Sequence, residues 1–184
     1  MISSNDFKNG MTIEYEGDLL EIIYFQHVKP GKGGAFVRTK LKNLINNTIF
    51  EKTFRAGEKI EQAILETKKM QFLYKDDHYN FMDNETYEQL SIDESHIGDK
   101  KQYLIENMEI TMIFYKGNPI SVELPTFIEA EVINTEPGIK GDTVSNTFKP
   151  VEIITGAKVN APLFIKNGDT IRIDTRTGEY ITRV

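Results

Sequence analysis

Apolar and polar residues alternate with a period of two along most of the chain, and that pattern predicts strands. "AFVRTKL" (35–41) puts Ala35, Val37, Thr39 and Leu41 on one face and Phe36, Arg38 and Lys40 on the other. Ahead of it, "EIIYFQHV" (21–28) is rich in β-branched and aromatic residues, which suit a pleated surface. The two runs predict a hairpin whose tip is residues 29–34. "TIFEKTFRAG" (48–57) reads as a further strand ending in a turn. In "KIEQAILETKKMQFLYKDD" (59–77), Ile60, Ala63 and Ile64 have helical spacing but the end is strand-like, so a short connector into a new strand is expected. "DDHYNFMDNETYEQLSI" (76–92) predicts two strands about "DNE", "SHIGDKKQYLIENM" (95–108) one short helix, and "EITMIFYKGNPISVELP" (109–125) a hairpin across "KGNP". From 126 onward, alternation through Ile128, Ala130 and Val132 and turns at Thr155-Gly156, Asn167-Gly168 and Thr177-Gly178 predict more short strands. The fold class is all-β. Three consecutive segments, 1–64, 65–127 and 128–184, each suit a small barrel.

Composition narrows the classes. With 184 residues and 39% apolar side chains the chain can bury a core, and without cysteine it has neither disulfides nor a thiolate metal site. His27, His78 and His96 lack ligand spacing, so no metal is expected. The N-terminal stretch has no basic start and apolar core, and no apolar run approaches a membrane span. A cytoplasmic protein with no membrane partner is expected. The net charge of −6 is unevenly spread: residues 1–64 carry nine Lys/Arg against eight Asp/Glu, 65–127 six against twelve, and 128–184 seven against eight. Within the first segment, residues 29–59 hold eight cations against Glu51 and Glu58. An acidic chain with one basic end suits an oriented encounter with a polyanion, or is simply a solvated strand surface.

Lys32 stands between glycines in "PGKGG", and glycine lets the chain turn sharply there. An amine nucleophile needs burial or a neighbouring cation to depress its pKa, and a glycine tip offers water. A phosphate loop needs a helix after its lysine, and here a strand follows. What remains is a probe entering a narrow site, a target for modification, or a solvated turn lysine. The paired carboxylates Asp76-Asp77, Glu85 with Glu88, and Asp93-Glu94 have no nucleophile arrangement beside them and read as a solvated acidic face. No GxSxG, HExxH or GxGxxG occurs. Tyr180 and Arg183 could stack on bases or pair with phosphates, or be a core tyrosine and a surface arginine.

The blocks "FQHVKPGKGGAFVRTKLKNL" (25–44), "EKTFRAGEKIE" (51–61), "FMDNETYEQ" (81–89), "TEPGIKGDT" (135–143) and "TGAKVNAPLFIKNGDTIRIDTRTGEYITRV" (155–184) resemble the bacterial elongation factor P family from end to end. Ala161 departs from the family, where valine is usual before the proline. The resemblance implies a KOW/SH3-like N-terminal barrel followed by two OB-fold barrels, in an elongated L that mimics transfer RNA. It implies a monomeric, non-enzymatic translation elongation factor without a cofactor. Such factors bind both subunits of the 70S ribosome between the P and E sites, steady peptidyl-tRNA and relieve stalling at consecutive prolines. By position, Lys32 reaches toward the CCA end from a slim tip made by Pro30, Gly31, Gly33 and Gly34. Lys29, Arg38, Lys40 and Lys42 would meet RNA phosphates. Gly141, Asp142 and Thr143 would read E-site mRNA, and Tyr180 and Arg183 would lie near the anticodon stem. Relatives with a tip lysine carry a β-lysyl or an aminopentanol group added by a modifying enzyme; "VKPGKGGAFVR" looks closest to the aminopentanol kind. The rival class is an OB-type single-strand nucleic-acid binder acting off the ribosome, with a steep salt slope on free RNA. The net charge of −6 argues against it.

Overall fold

Short alternating runs punctuated by Gly, Asn and Asp give strands joined by tight turns, and the computed structural model shows sixteen of them among the described residues, 1–136 and 148–184. The first sheet is built from β1 (Ile2–Ser3), β2 (Thr12–Tyr15), β3 (Asp18–Val28), β4 (Phe36–Asn43), β5 (Ile49–Arg55) and β6 (Lys59–Gln62), in the order β1-β6-β2-β3-β4-β5. The second contains β7 (Leu65–Lys75), β8 (Tyr79–Asp83), β9 (Gln89–Ile92), β10 (Glu109–Tyr115) and β11 (Asn118–Glu123), ordered β11-β10-β7-β8-β9. The third contains β12 (Phe127–Thr135), β13 (Phe148–Ile153), β14 (Lys158–Pro162), β15 (Thr170–Asp174) and β16 (Glu179–Arg183), ordered β14-β13-β12-β15-β16. Helix is confined to short 3₁₀ turns among the described residues. By contact density the chain divides into two compact units, Met1–Lys68 with Met112–Ser121, and Lys69–Thr111 with Val122–Val184.

The predicted hairpin is β3 and β4, paired from Leu20↔Asn43 to Val28↔Phe36. Along β4 the predicted alternation holds: Val37, Thr39 and Leu41 are buried, while Arg38 and Lys40 are exposed. Buried Thr39 satisfies its hydroxyl by donating to the Lys52 carbonyl at 2.8 Å, as a buried polar group must. Around this face lies a core of Phe7, Ile13, Leu20, Ile22, Val37, Leu41, Phe54 and Ile60. Phe54 meets Phe7 and Tyr15 edge to face, at centroid distances of 5.4 and 5.3 Å, the geometry that ring quadrupoles favour. The N-terminal turn closes against the end of β5, with Ser4 Oγ donating to the Arg55 carbonyl at 2.6 Å.

The stretch 59–64, helical in spacing, is strand over Lys59–Gln62. Ile60 pairs with Ile2 and Gln62 with Ile13, and Ile64 is 76% exposed. Sequence-distant partners supply hydrogen bonds that a local window does not contain, and they override the spacing. In place of one short helix, 95–108 holds a 3₁₀ turn at Gly98–Tyr103, preceded by another at Glu94–His96.

In the third sheet β12 buries Ile128, Ala130 and Val132 as the alternation predicts. They join Val151, Ile153, Val159, Ala161, Ile165, Ile171 and Ile173 in one core, which also takes in Tyr103 from the 3₁₀ turn. Gly156, Gly168 and Gly178 all have positive φ, as predicted turn glycines should.

Candidate nucleic-acid interface

Strand pairing ends at Val28↔Phe36, so residues 29–34 project beyond the ladder. Gly33 takes φ +111°, and a Cβ built on Gly31 or Gly34 would meet nothing within 4 Å. The glycines therefore serve slenderness and turning, since no neighbour crowds them. Lys32 and Lys29 are exposed, and among the described residues neither has a hydrogen-bond or ion-pair partner. The tip is an amine on a thin stalk with no described protein group competing for it.

Below the tip, the outward face of β4 carries Arg38, Lys40 and Lys42. Their ladder partners grade the charge. Lys42 faces Glu21 and Ile49, Lys40 faces Tyr24 and Glu51, and Arg38 faces Gln26 and Thr53. Lys40 approaches Glu51 at 4.0 Å, an exposed pair of the weak, screened kind. Arg38 has no acid opposite it, and Arg55 stands opposite Phe36 further toward the tip. Along the ladder, the cations thus face fewer acids toward Lys29 and Lys32, a gradient of the sign that would attract a polyanion to the tip end.

Tyr24 and Arg55 also belong to this face, and the sequence reading did not single them out. Simple alternation from Leu20 and Ile22 would bury Tyr24. A register shift between Ile22 and Tyr24 turns it outward instead, where it is 46% exposed beside Lys40. An aromatic ring between cations is a surface on which a base can stack.

Tyr180 and Arg183 sit on β16. In a regular strand, residues three apart point to opposite faces. Here a register shift sets Tyr180 opposite Ile173 and Arg183 opposite Ile171, so both share one side. Tyr180 is half-buried against the third core, in keeping with its reading as a core tyrosine. Arg183 is exposed; its guanidinium lies 5.7 Å from the centroid of Phe164, itself 57% exposed, and 3.8 Å from Asp169. Gly141, Asp142 and Thr143 lie outside the described residues.

The acids read as a solvated face are partly structural. Asp76 accepts from the His78 amide at 2.8 Å and from Asn80 Nδ2 at 3.1 Å, and these bonds hold its carboxyl below the usual range. Among the described residues, no group of three or more His, Asp or Glu is placed to hold a metal ion.

Family models match the chain in three consecutive blocks: the elongation factor P KOW-like domain over residues 3–60, the elongation factor P OB domain over 65–122, and the elongation factor P C-terminal domain over 128–183. The chain belongs to the elongation factor P family. It is 57% identical to Elongation factor P of Natranaerobius thermophilus, covering all of this chain and 98% of that one. It is 55% identical to Elongation factor P of Pelotomaculum thermopropionicum, with both chains covered completely. Among solved structures it is similar to "Eukaryotic translation initiation factor 5A from Methanococcus jannaschii" at a TM-score of 0.53 and 26% identity, over 66% of this chain and 92% of that one. Membership in the elongation factor P family makes this chain a translation elongation factor whose partner is the translation machinery. Its all-β architecture of small barrels is the one the sequence predicts.

Proposed function

We propose that this elongation factor binds the ribosome between the P and E sites and speeds peptide-bond formation at consecutive prolines, with Lys32 as its working group. The observation that carries the reading is the tip: an exposed amine beyond the last ladder rung, without a partner among the described residues, on the barrel whose outward face grows more cationic toward it. A long cationic side chain on a thin stalk suits a narrow RNA-walled centre. Arg38, Lys40, Lys42 and Lys29 meet phosphates along the way. The ammonium steadies the CCA end of peptidyl-tRNA, so the contribution is positional and the ribosome supplies the chemistry. The factor itself is not an enzyme and needs no dissociable cofactor. A host enzyme extends Lys32, with an aminopentanol group favoured over β-lysine by the tip sequence.

In this reading the modules 1–64, 65–127 and 128–184 divide the work. The first carries the tip. The acidic second, with six cations against twelve acids, spaces the others and resists nonspecific RNA contact. The third holds Arg183 toward the anticodon stem and reads E-site mRNA through Gly141, Asp142 and Thr143. The protein works in the cytoplasm as a monomer.

The test is a reconstituted translation reaction on a template encoding consecutive prolines, run with and without the protein. Faster full-length synthesis on that template, with no change on a proline-free one, is expected. Equal rates on both templates, together with tight salt-sensitive binding to free single-stranded RNA, would replace this reading with a general nucleic-acid binder.

A further inference from the structure

Glu14 on β2 and Glu61 on β6 stand directly opposite one another in the ladder. Like charges in that arrangement repel, so the pair needs a cation. It has one from far along the chain. Lys116 Nζ lies 2.9 Å from Glu14 Oε2 and 3.6 Å from Glu61 Oε1. The Tyr115 hydroxyl donates to the same Glu14 oxygen at 2.6 Å, and the Lys116 ammonium sits 4.8 Å from the centroid of the Tyr115 ring. Two donors from one turn thus converge on an acidic socket made by two strands of the first sheet.

The turn is built to hold them. Lys116 and Gly117 have φ of +49° and +78°. A two-residue hairpin with both central residues at positive φ matches the twist of its strands, so the β10–β11 turn has a fixed shape. Electrostatics agree with the geometry. The Tyr115 hydrogen bond, and then that from Lys116, hold the Glu14 carboxyl below the usual range. The Lys116 ammonium is held in its charged form by Tyr115 and Glu14. Contact density accordingly groups Met112–Ser121 with Met1–Lys68.

The socket is mechanically tied to the tip. Glu14 pairs with Leu19 at the start of β3, and β3 is the strand that runs out to the tip loop. We propose that Tyr115 and Lys116 are positioning residues: the β10–β11 turn plugs the Glu14–Glu61 socket and fixes the strands that carry Lys32. The functional consequence rests on the proposed role of Lys32; the clamp itself does not.

The chain has no cysteine, so cysteines introduced at exposed Lys8 and Asn118, both in the unit formed by Met1–Lys68 and Met112–Ser121, take spin labels cleanly. The distance distribution between them is expected to be narrow in the parent and in Lys116→Arg, and broad in Tyr115→Phe/Lys116→Ala. On the consecutive-proline template, the rate at saturating protein should fall about tenfold in the double variant, since a misplacement of about 1 Å costs up to about a hundredfold. The concentration giving half effect should change by less than about threefold, and Lys116→Arg should restore the rate. Glu14→Gln, which is nearly isosteric, gives the same broadening by an independent route if the double variant folds poorly. A narrow distribution and an undiminished rate in Tyr115→Phe/Lys116→Ala would overturn the proposal. A parent that does not stimulate proline synthesis would sink the functional reading, while the distance measurement would still decide the clamp.

Discussion

Among the described glycines, Gly178 in the β15–β16 turn is the most crowded. Its φ is +75°, and a Cβ built there would lie 2.6 Å from the Tyr103 hydroxyl oxygen. Tyr103 is 7% exposed and packed in the third core, which resists displacement of its ring. Gly178→Ala therefore incurs two costs. The left-handed backbone costs a non-glycine residue about 1–2 kcal/mol. Forcing a buried ring aside costs about 1–3 kcal/mol more. Gly156 supplies the control, with φ +85° and nothing within 4 Å of its Cβ position, so Gly156→Ala should show the backbone cost alone. Tyr103→Phe supplies the second arm. It removes the clashing oxygen, and the next nearest atom, the ring Cζ, is at an ordinary 3.8 Å. Introduced on top of Tyr103→Phe, Gly178→Ala should cost about 1–3 kcal/mol less than it does in the parent, a coupling within the range for residues in contact. At the midpoint of its range, about 3.5 kcal/mol, Gly178→Ala in the parent should lower the calorimetric Tm by roughly 7–14 °C. The reasoning fails if Gly178→Ala and Gly156→Ala cost the same and Tyr103→Phe makes no difference to either.

Acid titration should expose Asp174, whose side chain is 9% exposed and accepts from the Arg176 amide at 2.9 Å, Nε at 3.0 Å and Nη2 at 2.7 Å. The Arg176 side chain and then its amide hold its carboxyl down at about 2, against an ordinary 3.8. A depressed pKa means stabilisation that is complete above the ordinary value and lost as pH falls toward 2. Stability followed by denaturant unfolding should decline over that window, and less steeply in Asp174→Asn. On the basic strand, Arg38→Ala should weaken ribosome binding more than Lys40→Ala, because Lys40 already faces Glu51. The Arg38 variant should also reduce the salt slope of binding by about 1 if that side chain meets a phosphate; equal losses from the two variants would contradict the charge gradient. Peptide mapping of residues 29–38 from the native host should show added mass on Lys32, its size naming the group. A bare lysine would show that the tip works unextended there.

Local signals carried far where structure is local. The alternation of 35–41, the glycine tip and the Thr-Gly and Asn-Gly turns all appear in the structure, since each depends on neighbours along the chain. The reading loses accuracy where partners are distant. The helical spacing of Ile60, Ala63 and Ile64 yields to pairing of 59–62 with β1 and β2. Both β3 and β16 contain register shifts, and each re-aims a functional candidate: Tyr24 turns outward, and Arg183 comes to the side of Tyr180. A bulge adds one residue to one strand, and nothing in the alternation of that strand alone announces it. Asp83 in the "DNE" turn, which the sequence reading did not single out, is 5% exposed and accepts from the Glu85 and Thr86 amides. The Glu14, Tyr115 and Lys116 cluster joins residues about a hundred positions apart, beyond any motif-length window. The exposed placement of Lys32 was legible because it depends on an absence: glycine on both sides and nothing nearby to bury its stem.

The central claim is that the Lys32 amine does the work of this factor, and one kinetic measurement addresses it directly. Peptide-bond formation on ribosomes stalled at consecutive prolines would be timed with the parent protein and with Lys32→Ala at saturating concentration. No described contact of Lys32 stabilises the fold, so the two should melt alike and both should bind ribosomes. The account predicts that only the parent restores the rate. Equal rescue by Lys32→Ala would contradict it and move the function elsewhere on the molecule.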